Sequence, residues 1–325
     1  MKKCAAKKLI GLLFLVMLLL CGCSAGQEGQ GDGQETQSGG SPDAEVKEGY
    51  HAFDAEVKNV GIYMDSPVEF RALKITPDVL GWFDAWYRDP SAQKLELCGT
   101  EHLAIPFITW EPKDVSLQEI ADGLHDEYIA GYLGTILEAC PDNDVLIRFA
   151  HEMELGPDDG EAWYSWQDQE PQTYVAAWRH VVALGREINP NVRWVWSPNH
   201  ANAYSEPYYP GDDYVDFVGI TLNLPANRAR FYSDFLEYYT LYGEKEQLER
   251  YGKKIVLSEV AYSEDEYGRR VKYIRSVFDA YAQMPDVSLV AFFNYDVSET
   301  QQYRIADDAP CMNSFYAGMN AVHGA

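Results

Sequence analysis

From Tyr50 onward the chain alternates short apolar runs with longer stretches in which apolar residues recur every three or four positions. The short runs have the length and β-branched or aromatic content of buried strands, and the longer ones the period of amphipathic helices. Eight strands are predicted: Val60–Met64, Gly81–Tyr87, His102–Trp110, a run starting at Val145, Arg193–Ser197, Tyr214–Ile220, Lys254–Val260 and Ser288–Asn294. Pro106 argues against full regularity in the third. The clearest helix starts at Pro171, carries Val175, Trp178, Val181, Val182 and Ile188 on one face, and stops at Asn189-Pro190. A second is predicted through Ile120, Leu124, Ile129, Leu133 and Leu137. Eight strands separated by helices give a single closed (β/α)8 TIM barrel rather than a doubly wound sheet, and no glycine-rich phosphate loop follows the first strand.

Two runs end in an acid. Val145-Leu-Ile-Arg-Phe-Ala-His-Glu-Met153 delivers Glu152, and Lys254-Ile-Val-Leu-Ser-Glu-Val260 delivers Glu259. The carboxyl ends of barrel strands form the face on which such folds carry their chemistry. Two strand-terminal glutamates there suggest a paired-carboxylate site, the bland alternative for either alone being a strand-end ion pair. Arg148 lies four residues before Glu152, so strand alternation puts both on one face. It either holds a carboxylate ionised from beneath or makes a structural ion pair inside the barrel. His151, a lone histidine at a strand end, has a bland reading as a satisfied core residue.

The 325 residues, 46% of them hydrophobic, suffice for one large core, assigned to residues 51–325. Residues 1–22 read as a signal peptide: Lys2, Lys3, Lys7 and Lys8 precede the apolar run Leu9–Leu20, which is too short to span a bilayer comfortably. Leu20-Cys-Gly-Cys23 resembles a bacterial lipoprotein processing box, which implies lipidation of Cys23 and an extracellular, membrane-anchored protein. Residues 23–50, rich in Gly, Gln, Ser and acids, read as a flexible lipid-attached linker. The net charge of −25 repels nucleic acid and other polyanions, so a neutral partner is expected. Cys98, Cys140 and Cys311 match neither a disulfide framework nor a zinc site and read as small buried hydrophobes.

Several phrases, in order, resemble those of glycoside hydrolase family 26, the family of bacterial β-mannanases. They are Ile108-Thr-Trp-Glu-Pro112, Arg148-Phe-Ala-His-Glu-Met153, Trp163-Tyr-Ser-Trp166, Tyr174-Val-Ala-Ala-Trp-Arg-His180, Val192-Arg-Trp-Val-Trp-Ser-Pro-Asn199 and Tyr209–Ile220. The resemblance implies a retaining endo-β-glycosidase needing no metal or cofactor, with Glu152 as general acid/base and Glu259 as nucleophile. It places His151 against a sugar hydroxyl or its neighbouring acid. A neutral polysaccharide is the expected substrate, β-1,4-mannan first and β-glucan second, handled by a monomer. Trp110, Trp163, Trp166 and Trp196 are candidate platforms for sugar faces, Trp163 foremost, while Trp178 and Trp194 read as packing. Asn199 and the loop from His200 to Tyr209 lie past the fifth strand, in position to bond hydroxyls, and the loop reads equally as a solvated edge.

The chain also departs from that pattern. Glu154-Leu155 stands where the family has Asn-Gly, followed by an added loop from Gly156 to Ala162. Thr221-Leu-Asn-Leu224 replaces Asp-Gly-Tyr-Asn, putting Asn223 where a tyrosine would bond the nucleophile; Asn223 or Tyr262 is expected to substitute. Phe292 or Phe293 takes the place of a tryptophan platform. Two rivals follow: a glycan-binding relative of the same fold without turnover, and a two-lobed solute-binding component of a transporter.

Overall fold

The computed structural model describes residues 49–156, 163–229, 234–241, 244–263, 268–299 and 301–324. The expected signal peptide, the linker up to residue 48, Cys23 and most of the added loop after Gly156 lie outside the described residues. Residues from Val46 onward form one compact unit.

Eight parallel strands close into a barrel in sequence order: β1 (Asn59–Tyr63), β2 (Val79–Ala85), β3 (Ile105–Glu111), β4 (Val145–Phe149), β5 (Val192–Trp196), β6 (Phe217–Leu224), β7 (Ile255–Tyr262) and β8 (Val287–Phe292). β8 pairs with β1 to complete the ring. One closed barrel excludes the two-lobed arrangement. Each strand is apolar on both faces because each packs inward on the barrel axis and outward on helices. Tyr63, Val79, Phe107, Leu146, Val195, Val256 and Leu289 belong to the interior cluster, while Trp82, Trp110, Trp194 and Trp196 belong to the larger cluster under the helices. Pro106 sits inside β3 opposite Leu80, and pairing with β4 begins only at Phe107.

The helix Pro171–Ile188 lies closely on β5. Gly185 makes this possible: a Cβ there would fall 2.5 Å from Trp194. The stretch read as a single helix through Leu124 is instead two, Leu117–Ala121 and Asp126–Ala139. Gly123 breaks it with φ +78°, leaving Leu124 exposed. The three cysteines of the barrel are free and buried.

The amino-terminal mouth is closed by the segment before β1. Phe53 meets Phe217, the first residue of β6, edge-on at 5.3 Å. Asp144, buried just before β4, accepts from the Phe53 amide and the Tyr50 hydroxyl at 2.8 Å each and pairs with Arg193 at 2.8 Å. Asp144→Ala therefore strands several donors together, and we expect a loss of about 3 kcal/mol in denaturant unfolding. A loss under about 1 kcal/mol would mean that this closure contributes little.

Candidate active site

The carboxyl ends of the strands open into a cleft of about 640 Å³ whose walls include Glu152, Glu259 and His151. Neither glutamate arrives there by regular strand geometry. In β7, Val256 faces the barrel axis and Leu257 the helices, so plain alternation would turn Glu259 outward. A bulge intervenes: Ile220 pairs with Leu257, but the next residue, Thr221, pairs with Glu259. The extra residue, Ser258, shifts the phase and aims Glu259 inward. The same shift turns Tyr262 outward onto Tyr273, away from the cleft.

Glu152 follows β4 through a strained turn. β4 ends at Phe149, and Ala150 and Glu152 both take left-handed backbone, φ 43° and 54°. Such angles in residues with a Cβ cost on the order of 1–3 kcal/mol each and survive only where surroundings dictate them. Here the Glu152 amide donates to the Ser197 carbonyl at 2.9 Å. The carbonyls of His151, Glu152 and Met153 accept in turn from Trp166 Nε1 (2.7 Å), Gln167 Nε2 (3.0 Å) and the Asp168 amide (3.1 Å). Strand alternation therefore does not relate Arg148 to Glu152.

Arg148 is fully buried and pairs with Glu259 Oε1, while its Nε donates to Thr109 Oγ1 at 3.1 Å. The other oxygen of Glu259 accepts from Asn223 Nδ2 at 2.7 Å. The Thr221 hydroxyl donates to Glu152 Oε1 at 2.6 Å. One oxygen of each glutamate and a ring nitrogen of His151 lie within 4.8 Å of one another. Burial pushes the Glu259 carboxyl upward, and the charge of Glu152 adds to this; Arg148 and Asn223 act against it. Arg148 decides the balance, because a sealed guanidinium requires an ionised partner and Glu259 is the carboxylate bonded to it. Burial, then Arg148 and Lys113, hold His151 well below the usual histidine range, so it is neutral. Two carboxylates and a histidine could in principle ligate a cation. With Arg148 and Asn223 already on the two oxygens of Glu259, however, the set suits proton and nucleophile chemistry better than metal binding.

Of the residues singled out from sequence, Trp163, Asn199 and Asn223 line the cleft with the two glutamates and His151, and Trp163 is half exposed. Four do not. Trp110 is sandwiched between Trp86 and Tyr132 at 4.6 and 4.3 Å, and Trp196 packs on Tyr209 and Tyr251. Phe292 packs on Phe278 and Phe315, leaving Phe293 as the cleft residue of that pair. Tyr262 is the fourth. In each case the neighbour in sequence, Glu111, Ser197, Phe293 or Ala261, holds the inward position. Trp166 is buried and stacks on Tyr164 at 4.3 Å, so Tyr164 presents the ring to the cleft.

Sequence reasoning missed Glu111, Lys113, Thr221 and the rings of Phe83, Tyr295 and Tyr303. Glu111 ends β3 as an acid, the same signal used for the glutamates. It is buried, pairs with Lys113 at 2.7 Å, and its carboxyl is pushed up by burial against the pull of that lysine.

The family model described as glycosyl hydrolase family 26 matches residues 123–246, which span β4, β5 and β6. Endoglucanase H of Acetivibrio thermocellus is 25% identical over 265 residues; the match covers 77% of this chain and 28% of that protein. The match to the family model covers less than half of this chain. Among solved structures, a family 26 β-mannanase of Bacteroides ovatus superposes with a TM-score of 0.58 at 14% identity, over 82% of this chain and 89% of its own. A Cellulomonas fimi endo-β-1,4-mannanase double mutant also gives 0.58, at 16% identity over 82% and 71%. The endo-β-mannanase/endo-β-glucanase of Prevotella bryantii gives 0.52, at 15% identity over 84% and 45%. These likenesses establish the barrel.

A further glutamate, Glu154, stands directly behind the candidate acid. Glu154 Oε1 accepts from the His200 amide at 2.6 Å, while Oε2 is sheltered and has no partner among the described residues. Burial pushes its carboxyl up to about 8, with the neighbouring Glu152 adding to the shift. Between the ordinary glutamate value and about 8, the folded protein keeps this proton while the unfolded chain has lost it. Stability must therefore fall as pH rises through that window, by roughly 1.4 kcal/mol per unit from this group alone. Glu154→Gln should remove that slope. Denaturant unfolding of both proteins at pH 5, 6.5 and 8 checks it; parallel curves would show that Glu154 is ionised in the fold.

Proposed function

We propose that this protein is a retaining endo-β-glycosidase that cuts a neutral polysaccharide by double displacement. The observation that carries the reading is the pair Glu152 and Glu259, with oxygens within 4.8 Å of each other and Arg148 fixing the negative charge on one of them. Retaining pairs stand about 5–5.5 Å apart, whereas inverting pairs need about 6.5–9.5 Å to admit a water. Two adjacent carboxylates carry one negative charge more readily than two, and Arg148 places it on Glu259.

Glu259 is the nucleophile and attacks the anomeric carbon. Glu152 gives its proton to the departing sugar oxygen, then takes one from the incoming water as the glycosyl-enzyme is hydrolysed. Neutral His151, with Nδ1 free of protein partners among the described residues, is suited to a sugar hydroxyl. Asn223 serves Glu259 where a tyrosine is expected, and Thr221 steadies Glu152. Phe83, Phe293, Tyr295, Tyr164 and Trp163 offer apolar faces to pyranose rings. The acidic chain and the carboxylates of the cleft disfavour anionic polymers. β-1,4-Mannan is the first candidate substrate and β-glucan the second; the names of the relatives include both activities. Lipidation at Cys23 would hold the barrel outside the cell membrane.

Incubation with mannan, glucomannan and mixed-linkage β-glucan is expected to release reducing ends. Glu152→Ala should lose about a hundred- to ten-thousandfold, and Glu259→Ala at least as much. With an activated aryl glycoside and azide, Glu152→Ala should yield the azide of retained configuration and Glu259→Ala the inverted one. A wild type inert on every neutral glycan that it binds would instead make this a binding protein.

A further inference from the structure

The turn carrying Trp163 and Tyr164 is sewn to the turn carrying Glu152. Three successive carbonyls, of His151, Glu152 and Met153, accept from three successive residues, Trp166, Gln167 and Asp168. The middle stitch differs from the others. Gln167 is 3% exposed and uses both ends of its side-chain amide. Its Nε2 donates to the Glu152 carbonyl at 3.0 Å, while its Oε1 accepts from the amides of Trp163 and Tyr164 at 2.7 and 3.1 Å. One planar group thus fixes the distance between the peptide of the candidate acid and the peptides of the two aromatic residues beside it. The Glu152 peptide needs such a clamp, since φ 54° is a conformation that a glutamate does not hold unaided.

We infer that Gln167 is a positioning residue that couples sugar binding at Trp163 and Tyr164 to the placement of Glu152 for proton transfer. This rests on the reading of Glu152 as the acid/base. A ring stacked on Trp163 or Tyr164 pulls on their backbone, and the Gln167 amide passes that constraint to the Glu152 carbonyl. Loss of the stitch leaves the nucleophile untouched, because Glu259 is held by Arg148 and Asn223 on other strands. The defect therefore falls on the two proton transfers of Glu152, to the leaving group and from the incoming water, and only the first depends on the leaving group.

Leaving groups separate that defect from general damage. A sugar alkoxide cannot depart without a proton, whereas 2,4-dinitrophenolate can. Gln167→Glu keeps the size of the side chain and the acceptor for the Trp163 and Tyr164 amides, and removes the donor to Glu152. Gln167→Ala removes both ends, with thermal melts as the control for folding. Should the alanine variant fail to fold, the isosteric glutamate variant carries the test.

The measurement is kcat and KM at pH 7 on the oligosaccharide that the wild type cleaves and on the matching 2,4-dinitrophenyl β-glycoside. For Gln167→Glu we expect kcat/KM on the oligosaccharide to fall about ten- to a hundredfold, and kcat/KM on the aryl glycoside, which reports the first displacement alone, to fall by less than about threefold. An equal fall on both substrates, or no fall on the oligosaccharide, overturns the role of Gln167 and leaves the hydrolase reading standing. A wild type inert on both substrates overturns that reading and this inference with it.

Discussion

A guanidinium sealed inside a barrel cannot stay charged without a carboxylate against it, and the site is arranged around that requirement. Arg148 points inward from β4, with no solvent exposure, between Thr109 on β3 and Glu259 on β7. It also lies over the Phe83 ring at 5.8 Å. The pair spans the barrel axis and ties strands that are not neighbours, so Glu259 is held at a fixed height beneath the cleft. It also makes two chemically identical side chains unequal. Glu259 carries a permanent counter-charge, while Glu152 has a hydroxyl donor and a half-open wall. On the proposed reading, that asymmetry sets the division of labour between the two acids.

Regular secondary structure cannot by itself deliver both side chains to one point. β7 needs an extra residue at Ser258 to rotate Glu259 inward, and the chain after β4 needs two left-handed residues to bring Glu152 over the rim. Both irregularities are braced. Thr221 and Asn223 of β6 project into the cleft beside the bulge and bond one glutamate each. The left-handed turn is pinned from β5 by the Ser197 carbonyl and from the following loop by residues 166–168. Strand β6 thus serves both acids, which accounts for the departure at Thr221-Leu-Asn-Leu224 having two partners rather than one.

Much of the fold was legible in the sequence because a parallel barrel writes each strand as a dense apolar run. Eight such runs fall within a few residues of the strands. The glutamates stood out as charges where burial is dear. What the sequence hid was phase. A run apolar on both faces carries no alternation, so nothing distinguished inward from outward residues, and Trp110, Trp196 and Phe292 were misplaced by one position each. The bulge at Ser258 has no local signature, and it misdirected Tyr262 as well. Gln167 was invisible for a different reason: its role depends on a loop folding back on residues fifteen positions earlier. Glu111 is the exception, since its place at the end of β3 was readable.

The central claim is that Glu259, held ionised by Arg148, is the group that bonds to the sugar. Incubating the protein with a 2-deoxy-2-fluoro-β-glycosyl fluoride of the preferred sugar, followed by peptide mapping of the inactivated protein, tests it directly. A single adduct on Glu259, absent from Glu259→Gln, is the expected result. An adduct on Glu152 or another residue, or turnover with an inverted first product and no adduct, would contradict it.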